Sequence, residues 1–328
     1  MYKAGFFIIM LLSILWSIPA LCDTKPTPHN IIIGGKVINN DPDPHGDFKT
    51  ITVPIKRAGN LIVVEAQLDT LIGNFILDTG APGLILNQTY FRDAPHISEK
   101  ESAGINGSAG QTFTTVVYNF TILDLHYDKI TADVTDLSHI ENSKGIKVLG
   151  LLGTRLFAKL AITIDLFNNV LYIHKLDSKG EILPGERPFT TPDMRTSFRL
   201  LNDVIFIKGS IEDHSMWFAF DTGAECNLLE KDSYKKLQNH MQILSKAAIT
   251  GVGGKGSEVK YALFEKMVIG NYLFRHNRVL FTRLDQISSA YGNSVDAILG
   301  HDFFARGIFT INFAKKELEM YIYTHQDK

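Results

Sequence analysis

The sequence predicts an all-β chain built from two copies of one domain, and three observations carry that prediction. Residues 61 to 87, LIVVEAQLDTLIGNFILDTGAPGLILN, lie without a gap against residues 204 to 230, VIFIKGSIEDHSMWFAFDTGAECNLLE. Further on, AGINGSAG (103 to 110) pairs with TGVGGKGS (250 to 257), and LLGTRLF (151 to 157) with ILGHDFF (298 to 304), in the same order in both halves. The runs between turn residues are short and alternate apolar with polar, a period of two that marks half-buried strands. ITIDLFNNVLYIHK and FTINFAKKELEMYIY, closing each copy, read as strand, polar turn and second strand.

Taken in order, residues 1–22 hold one lysine, an apolar run from Phe6 to Leu21, and Ala20 and Cys22 at small-residue positions before a cut. This is the pattern of a signal peptide, so the expected location is secreted or periplasmic, or membrane-anchored if the segment is retained. Residues 23–49, rich in Pro, Gly and Asn, form an N-terminal arm or short pro-segment. The first lobe is expected over 50–175, a Pro- and Gly-rich linker over 176–196, and the second lobe over 197–328. Helices are few: Asn87 to Arg92, Lys231 to Met241, and short turns after Gly153 and Gly300.

The composition excludes several classes of function. A net charge of −2 with no basic run offers nothing to nucleic acid or an anionic membrane surface. Of the two cysteines, Cys22 leaves with the signal peptide, so no intramolecular disulfide is expected and the fold rests on core packing. Metal and nucleotide motifs of the H-E-x-x-H, paired C-x-x-C and Walker types are absent, so neither metal nor cofactor is expected. GVGGKG (251 to 256) satisfies the G-x-G-x-x-G spacing, yet Val259, Tyr261 and Leu263 alternate with Glu258, Lys260 and Ala262 after it. A dinucleotide site needs a helix there, not a strand.

Each copy contains an apolar strand that runs into Asp-Thr-Gly: FILDTG with Asp78 and FAFDTG with Asp221. A single such tripeptide reads best as a turn, but two in matching apolar frames do not. A carboxylate at the end of a buried strand is costly to ionise and is tolerated where it serves chemistry. If a pseudo-two-fold axis relates the copies, Asp78 and Asp221 meet on it and share one proton. The ionised member then acts as general base on a water, while the protonated member donates to a substrate carbonyl oxygen. Gly80 and Gly223 allow the tight turns, and the hydroxyls of Thr79 and Thr222 are placed to cross-link the two loops.

The doubled set of apolar-D-T-G-A, a Gly-rich hairpin, and apolar-apolar-Gly before a short helix resembles the aspartic peptidases. It is similar to the retroviral-type, single-lobe enzymes present twice in one chain, and so in plan to the bilobal pepsin-like enzymes. The resemblance spans about residues 50 to 325. It implies two β-barrel-like lobes of the acid-protease type with a cleft between them, a monomer, and an extended peptide or protein substrate across the cleft. It implies Asp78 and Asp221 as the catalytic pair and Thr79, Gly80, Thr222 and Gly223 as support of their loops. Flap tips that close on the substrate would be Gly104, Ile105, Asn106 and Gly107 in one lobe and Gly251, Val252, Gly253 and Gly254 in the other.

This chain departs from the pepsin-like pattern at Ala81 and Ala224, where a Ser or Thr hydroxyl usually bonds the aspartate and favours its charge. An activity optimum at mildly rather than strongly acidic pH follows. Pro82 lacks the N–H that Glu225 has, so the two sides of the cleft are expected to grip a substrate unequally. Cys226 reads as a small buried residue, His301 and Asp302 as a helix start capped by the Asp, and Asn87, Asn106 and Asn119 stand in N-x-[ST] sequons. The competing function is a catalytically silent peptide-binding or inhibitory protein on the same fold, against which both intact Asp-Thr-Gly copies argue.

Overall fold

In the computed structural model, residues 30–33, 36–39, 41–104, 107–250, 256–291 and 294–323 are described. Residues 1–22, Ile105, Asn106, and Gly251, Val252, Gly253 and Gly254 lie outside them.

The first lobe closes into a barrel through strands Leu61–Leu68, Leu71–Leu77, Gly150–Leu152, Leu84–Asn87, Leu125–Thr135 and Gly107–Ile122. The last returns to the first at Gln67↔Thr121 and Leu68↔Phe120. The second lobe repeats this circuit, but its returning strand is broken into Gly256–Phe264 and Met267–Ile269. The latter piece closes the ring by pairing with Gly209–Ile211. Each barrel is filled by the inward half of its alternating strands. Phe75, Phe120 and Tyr127 are fully buried in the first, and Phe218, Phe220 and Phe303 in the second. Burial of one such side chain contributes about 1.5–3 kcal/mol.

The strand pairs that close each copy do not stay within their own lobes. Leu160–Asp165 pairs with Val170–Lys175 on one side and with Gly307–Asn312 of the second copy on the other. Six strands, with Thr50–Pro54 and Met194–Leu201 at the two ends, thereby form one sheet beneath both lobes. Across its middle Thr163 and Thr310 exchange a 2.8 Å hydroxyl contact. His174 bridges Thr50 and Thr163 through its two ring nitrogens at 2.9 and 3.0 Å. Burial pushes the His174 imidazolium down to about 4, so the ring stays neutral.

The helices depart in part from the sequence reading. Gln88–Phe91 forms with Asn87 as its N-cap, the Asn side chain accepting from Thr89 N–H at 3.1 Å. Over Lys231 to Met241 the chain breaks into a 3-10 turn, the helix Tyr234–Leu237 and a second 3-10 turn, and Met241 starts a strand. Helices Ser138–Lys144 and Asp285–Tyr291 occupy equivalent places in the two copies and were not anticipated. Residues 41–49 are held against the first lobe by the His45–His126 bridge, the Lys159–Asp43 ion pair and the bond from Lys175 to Gly46 carbonyl.

Candidate active site

In each lobe the strand leading to Asp-Thr-Gly is trapped against a parallel neighbour, Leu71–Leu77 beside Gly150–Leu152 and His214–Phe220 beside Ala297–Leu299. Asp78 N–H donates to Leu152 carbonyl at 3.0 Å and Asp221 N–H to Leu299 carbonyl at 3.1 Å. Each aspartate is thus delivered from the rigid end of a core strand to the junction of the lobes.

The threonines lock the two loops reciprocally. Thr79 N–H donates to Thr222 Oγ1 and Thr222 N–H to Thr79 Oγ1, both at 3.0 Å. Each hydroxyl then donates onward to the opposite strand, Thr79 to Phe220 carbonyl at 2.8 Å and Thr222 to Leu77 carbonyl at 2.7 Å. All four bonds are buried. Each hydroxyl accepts one bond and donates another, so no polar group of the lock is left unpaired.

Asp78 and Asp221 are both fully buried and their carboxyls hydrogen-bond to each other. Gly80 N–H donates to Asp78 Oδ1 at 2.9 Å and Gly223 N–H to Asp221 Oδ1 at 2.8 Å, while neither Oδ2 accepts from a protein N–H or O–H. The two glycines are needed for a different reason from the turn anticipated above. A Cβ at Gly80 would lie 2.8 Å from the carboxyl of Asp221, and one at Gly223 would lie 2.8 Å from Asp78 Oδ1. Any side chain there would push the opposing aspartate away.

Burial raises both carboxyls above the ordinary aspartate range, and the neighbouring carboxyl raises Asp221 further. The pair therefore holds a proton well above the pH at which a lone aspartic acid loses it. Ala81 and Ala224, both buried, supply no hydroxyl to counter this. Their N–H groups turn back to the carbonyls of Asp78 and Asp221 at 3.1 and 3.2 Å.

Gly104 pairs with Gly107 at the end of the hairpin Ser98–Gly104 and Gly107–Ile122, and Thr250 with Gly256 at the end of Met241–Thr250 and Gly256–Phe264. Both Gly-rich stretches are therefore hairpin ends, as their repeat relation predicts, and GVGGKG does not open a helix. Asp302 does not cap its helix. Gly300 is the N-cap of His301–Phe304, and the Asp302 carboxylate instead accepts from Asn227 N–H at 3.3 Å. Cys226 is half-buried, with its thiol pushed up to about 12 by burial and by Asp302 and Glu225, so it is no nucleophile at neutral pH. Asn87 is buried with its amide committed to Val148 carbonyl, which leaves its sequon inaccessible in the folded chain.

The structure also brings to this junction residues that sequence reasoning missed. Arg57 Nη2 contacts His301 Nε2 at 2.8 Å, Asn60 donates to Glu225 carbonyl at 3.0 Å, and Lys144 pairs with Glu225. On the other side of the axis Thr154 donates to Asp203 carbonyl, Arg155 lies 3.5 Å from the Asp203 carboxylate, and Arg155 Nε donates to Pro82 carbonyl at 3.1 Å. Their only sequence signal is position, just before the repeated strands and just after the repeated Leu-Gly.

Comparison with known proteins agrees with this architecture. Residues 207–303 match the family model described as aspartyl protease. The aspartic proteinase from Irpex lacteus aligns over 85% of this chain and 98% of its own, with a TM-score of 0.52 and 14% identity. Basic 7S globulin from soybean aligns over 84% of this chain and 95% of its own, with a TM-score of 0.49 and 9% identity. No curated protein matches the chain in sequence. With both lobes laid out as in an aspartic proteinase and the family model falling on the second Asp-Thr-Gly copy, the chain carries an aspartic peptidase-like domain on the two-lobed all-β acid-protease fold.

Proposed function

We propose that the protein is an aspartic endopeptidase in which Asp78 and Asp221 together activate water against a peptide carbonyl. The observation that carries this reading is the reciprocal threonine lock, which holds two fully buried carboxyls in mutual contact at the junction of the lobes. A buried acidic pair has no structural use that an apolar pair would not serve at lower cost. With one proton on the pair, the ionised carboxyl takes a proton from water as it attacks the carbonyl carbon. The protonated carboxyl gives its proton to the carbonyl oxygen. Collapse of the tetrahedral adduct breaks the C–N bond, and a carboxyl returns a proton to the amine. No covalent intermediate and no metal enters these steps.

The paired Gly-rich hairpins suit the role of flaps whose backbone N–H groups reach an extended peptide. The apolar run before Cys22 supports export of the mature chain as a monomer to a secreted or periplasmic location. Raised carboxyls and the missing hydroxyls at Ala81 and Ala224 support an optimum at mildly acidic pH, and a profile peaking near pH 2 would contradict it. The test is cleavage of a mixed peptide library by the mature chain, with and without a statine-type inhibitor, beside Asp78→Asn and Asp221→Asn. Inhibitable cleavage lost in both variants is expected. Cleavage surviving in either overturns the shared-proton mechanism, and a wild type that binds peptides without cutting them supports the silent binding protein instead.

A further inference from the structure

The two sides of the pseudo-axis carry matching contacts up to a point and then differ. On each side, the turn that precedes the first barrel strand of one lobe touches the short helix after Leu-Gly of the other. Arg57 meets His301 on one side, and Asp203 meets Thr154 and Arg155 on the other. One further contact has no counterpart. Lys144, at the C-terminal end of helix Ser138–Lys144 in the first lobe, crosses to Glu225, four residues beyond Asp221 in the second. Both side chains are sheltered, at 12% and 16% exposure. The pair sits over the first-lobe turn, with Lys144 Nζ 3.2 Å and Glu225 Oε2 3.5 Å from where a Cβ on Gly59 would stand. Asn60 holds the Glu225 carbonyl from the same turn. In the repeat, Glu225 corresponds to Pro82, which has no charge to offer, and Lys144 to Tyr291, whose carbonyl accepts from Asn202 within its own lobe.

We infer that the Lys144–Glu225 pair ties the lobes across one end of the cleft, so that a bound peptide is gripped over fewer residues on that side of the scissile bond than on the other. This rests on the peptidase reading for the place of the substrate, but not on turnover. A peptide lying between the lobes must pass out between helix Ser138–Lys144 and the loop that carries Asp221. There a sheltered ion pair, held further by Asn60, closes the gap, whereas the Pro82 side has no such crossing. A sheltered pair of this kind is costly to part, since each charge would be left without its partner.

The test is a ladder of peptides built on a non-hydrolysable hydroxyethylene core and lengthened one residue at a time on either side. Dissociation constants are measured by calorimetry for wild type, Lys144→Ala, Lys144→Arg and Glu225→Gln. In wild type, lengthening is expected to tighten binding about tenfold or more on one side and less than about twofold on the other. Lys144→Ala and Glu225→Gln should each restore a gain of at least about threefold on the insensitive side, while Lys144→Arg keeps the wild-type pattern. If Lys144→Ala does not fold, the near-isosteric Glu225→Gln decides alone. Equal dependence on length at both ends in wild type, or variants that keep the one-sided pattern, overturns the inference and leaves the peptidase reading standing. Failure of every peptide to bind overturns both.

Discussion

The Asp78 side and the Asp221 side of the molecule are alike at the axis and unlike a few ångströms from it. At the axis the two loops exchange the same four hydrogen bonds at nearly the same lengths, and each glycine faces the opposite carboxyl at 2.8 Å. Away from it Thr154 and Arg155 stand opposite His301 and Asp302, Pro82 opposite Glu225, and Asn87 opposite Glu230. Asn87 caps its helix and also accepts from Leu137 N–H, whereas Glu230 reaches across to Leu284 N–H at 2.6 Å with its longer carboxylate. A duplicated chain keeps its symmetry where one proton must be shared between two equal groups. It relaxes that symmetry where the requirement is only to hold two lobes together, because many polar pairs accomplish that.

The comparison is broken most severely at the centre. Asp78→Asn and Asp221→Asn are each expected to lower kcat/KM by about 10²–10⁴-fold, equally for the two, measured on one fluorogenic peptide. Unequal losses would mean that the sites are not interchangeable at the axis. Next come Thr79→Val and Thr222→Val. Each removes a hydroxyl donor and acceptor and strands buried backbone partners in both lobes. A loss of about 1–3 kcal/mol in denaturant unfolding is expected for each. A fall in kcat of about 10–100-fold should accompany it, because the carboxyls lose their register.

The third prediction uses pH. Because the folded state raises the carboxyls, it binds more protons than the unfolded chain above about pH 4. Their favourable share of stability is therefore complete below that pH and is lost as pH rises through the folded values. Asp221→Asn removes this loss and should raise stability at pH 7 relative to pH 4 by roughly 1–3 kcal/mol. A melting-temperature difference that does not change with pH would sink it.

The smallest effect is expected off the axis. Arg57 can only donate, so His301 Nε2 accepts and the ring is neutral, its charged form pushed down to about 4 by burial and by Arg57. A histidine depressed in this way costs stability as pH falls from about 6.5 toward 4. His301→Gln keeps an acceptor for Arg57 without that titration, so its stability should fall less than wild type between pH 6 and pH 4, by about 1 kcal/mol or under. An unchanged acid slope in thermal melts would refute the assignment.

Much of this protein was legible in its residues because a duplication prints its pattern twice. The period of two, the repeated Asp-Thr-Gly and the repeated Leu-Gly before a short helix determined the all-β class, the pair of acids and the threonines beside them. Each of these is a local signal, and equivalent positions in two copies of one fold meet at an axis whatever else the chain does. What the residues did not disclose depends on chain segments far apart in sequence. Pairing of Leu160–Asp165 with Gly307–Asn312 joins the copies into one sheet, and no periodicity within either strand says which partner it will choose. The role of the glycines was misassigned because a Gly in a loop announces a turn, while the close approach of an opposing carboxyl shows only in space. Lys144, Asn60, Arg57 and Asp203 gave no signal, since a charged or amide side chain on a polar turn is ordinarily solvated. Only the tertiary structure, by setting the turns of one lobe against the catalytic loop of the other, decided that these side chains are partners.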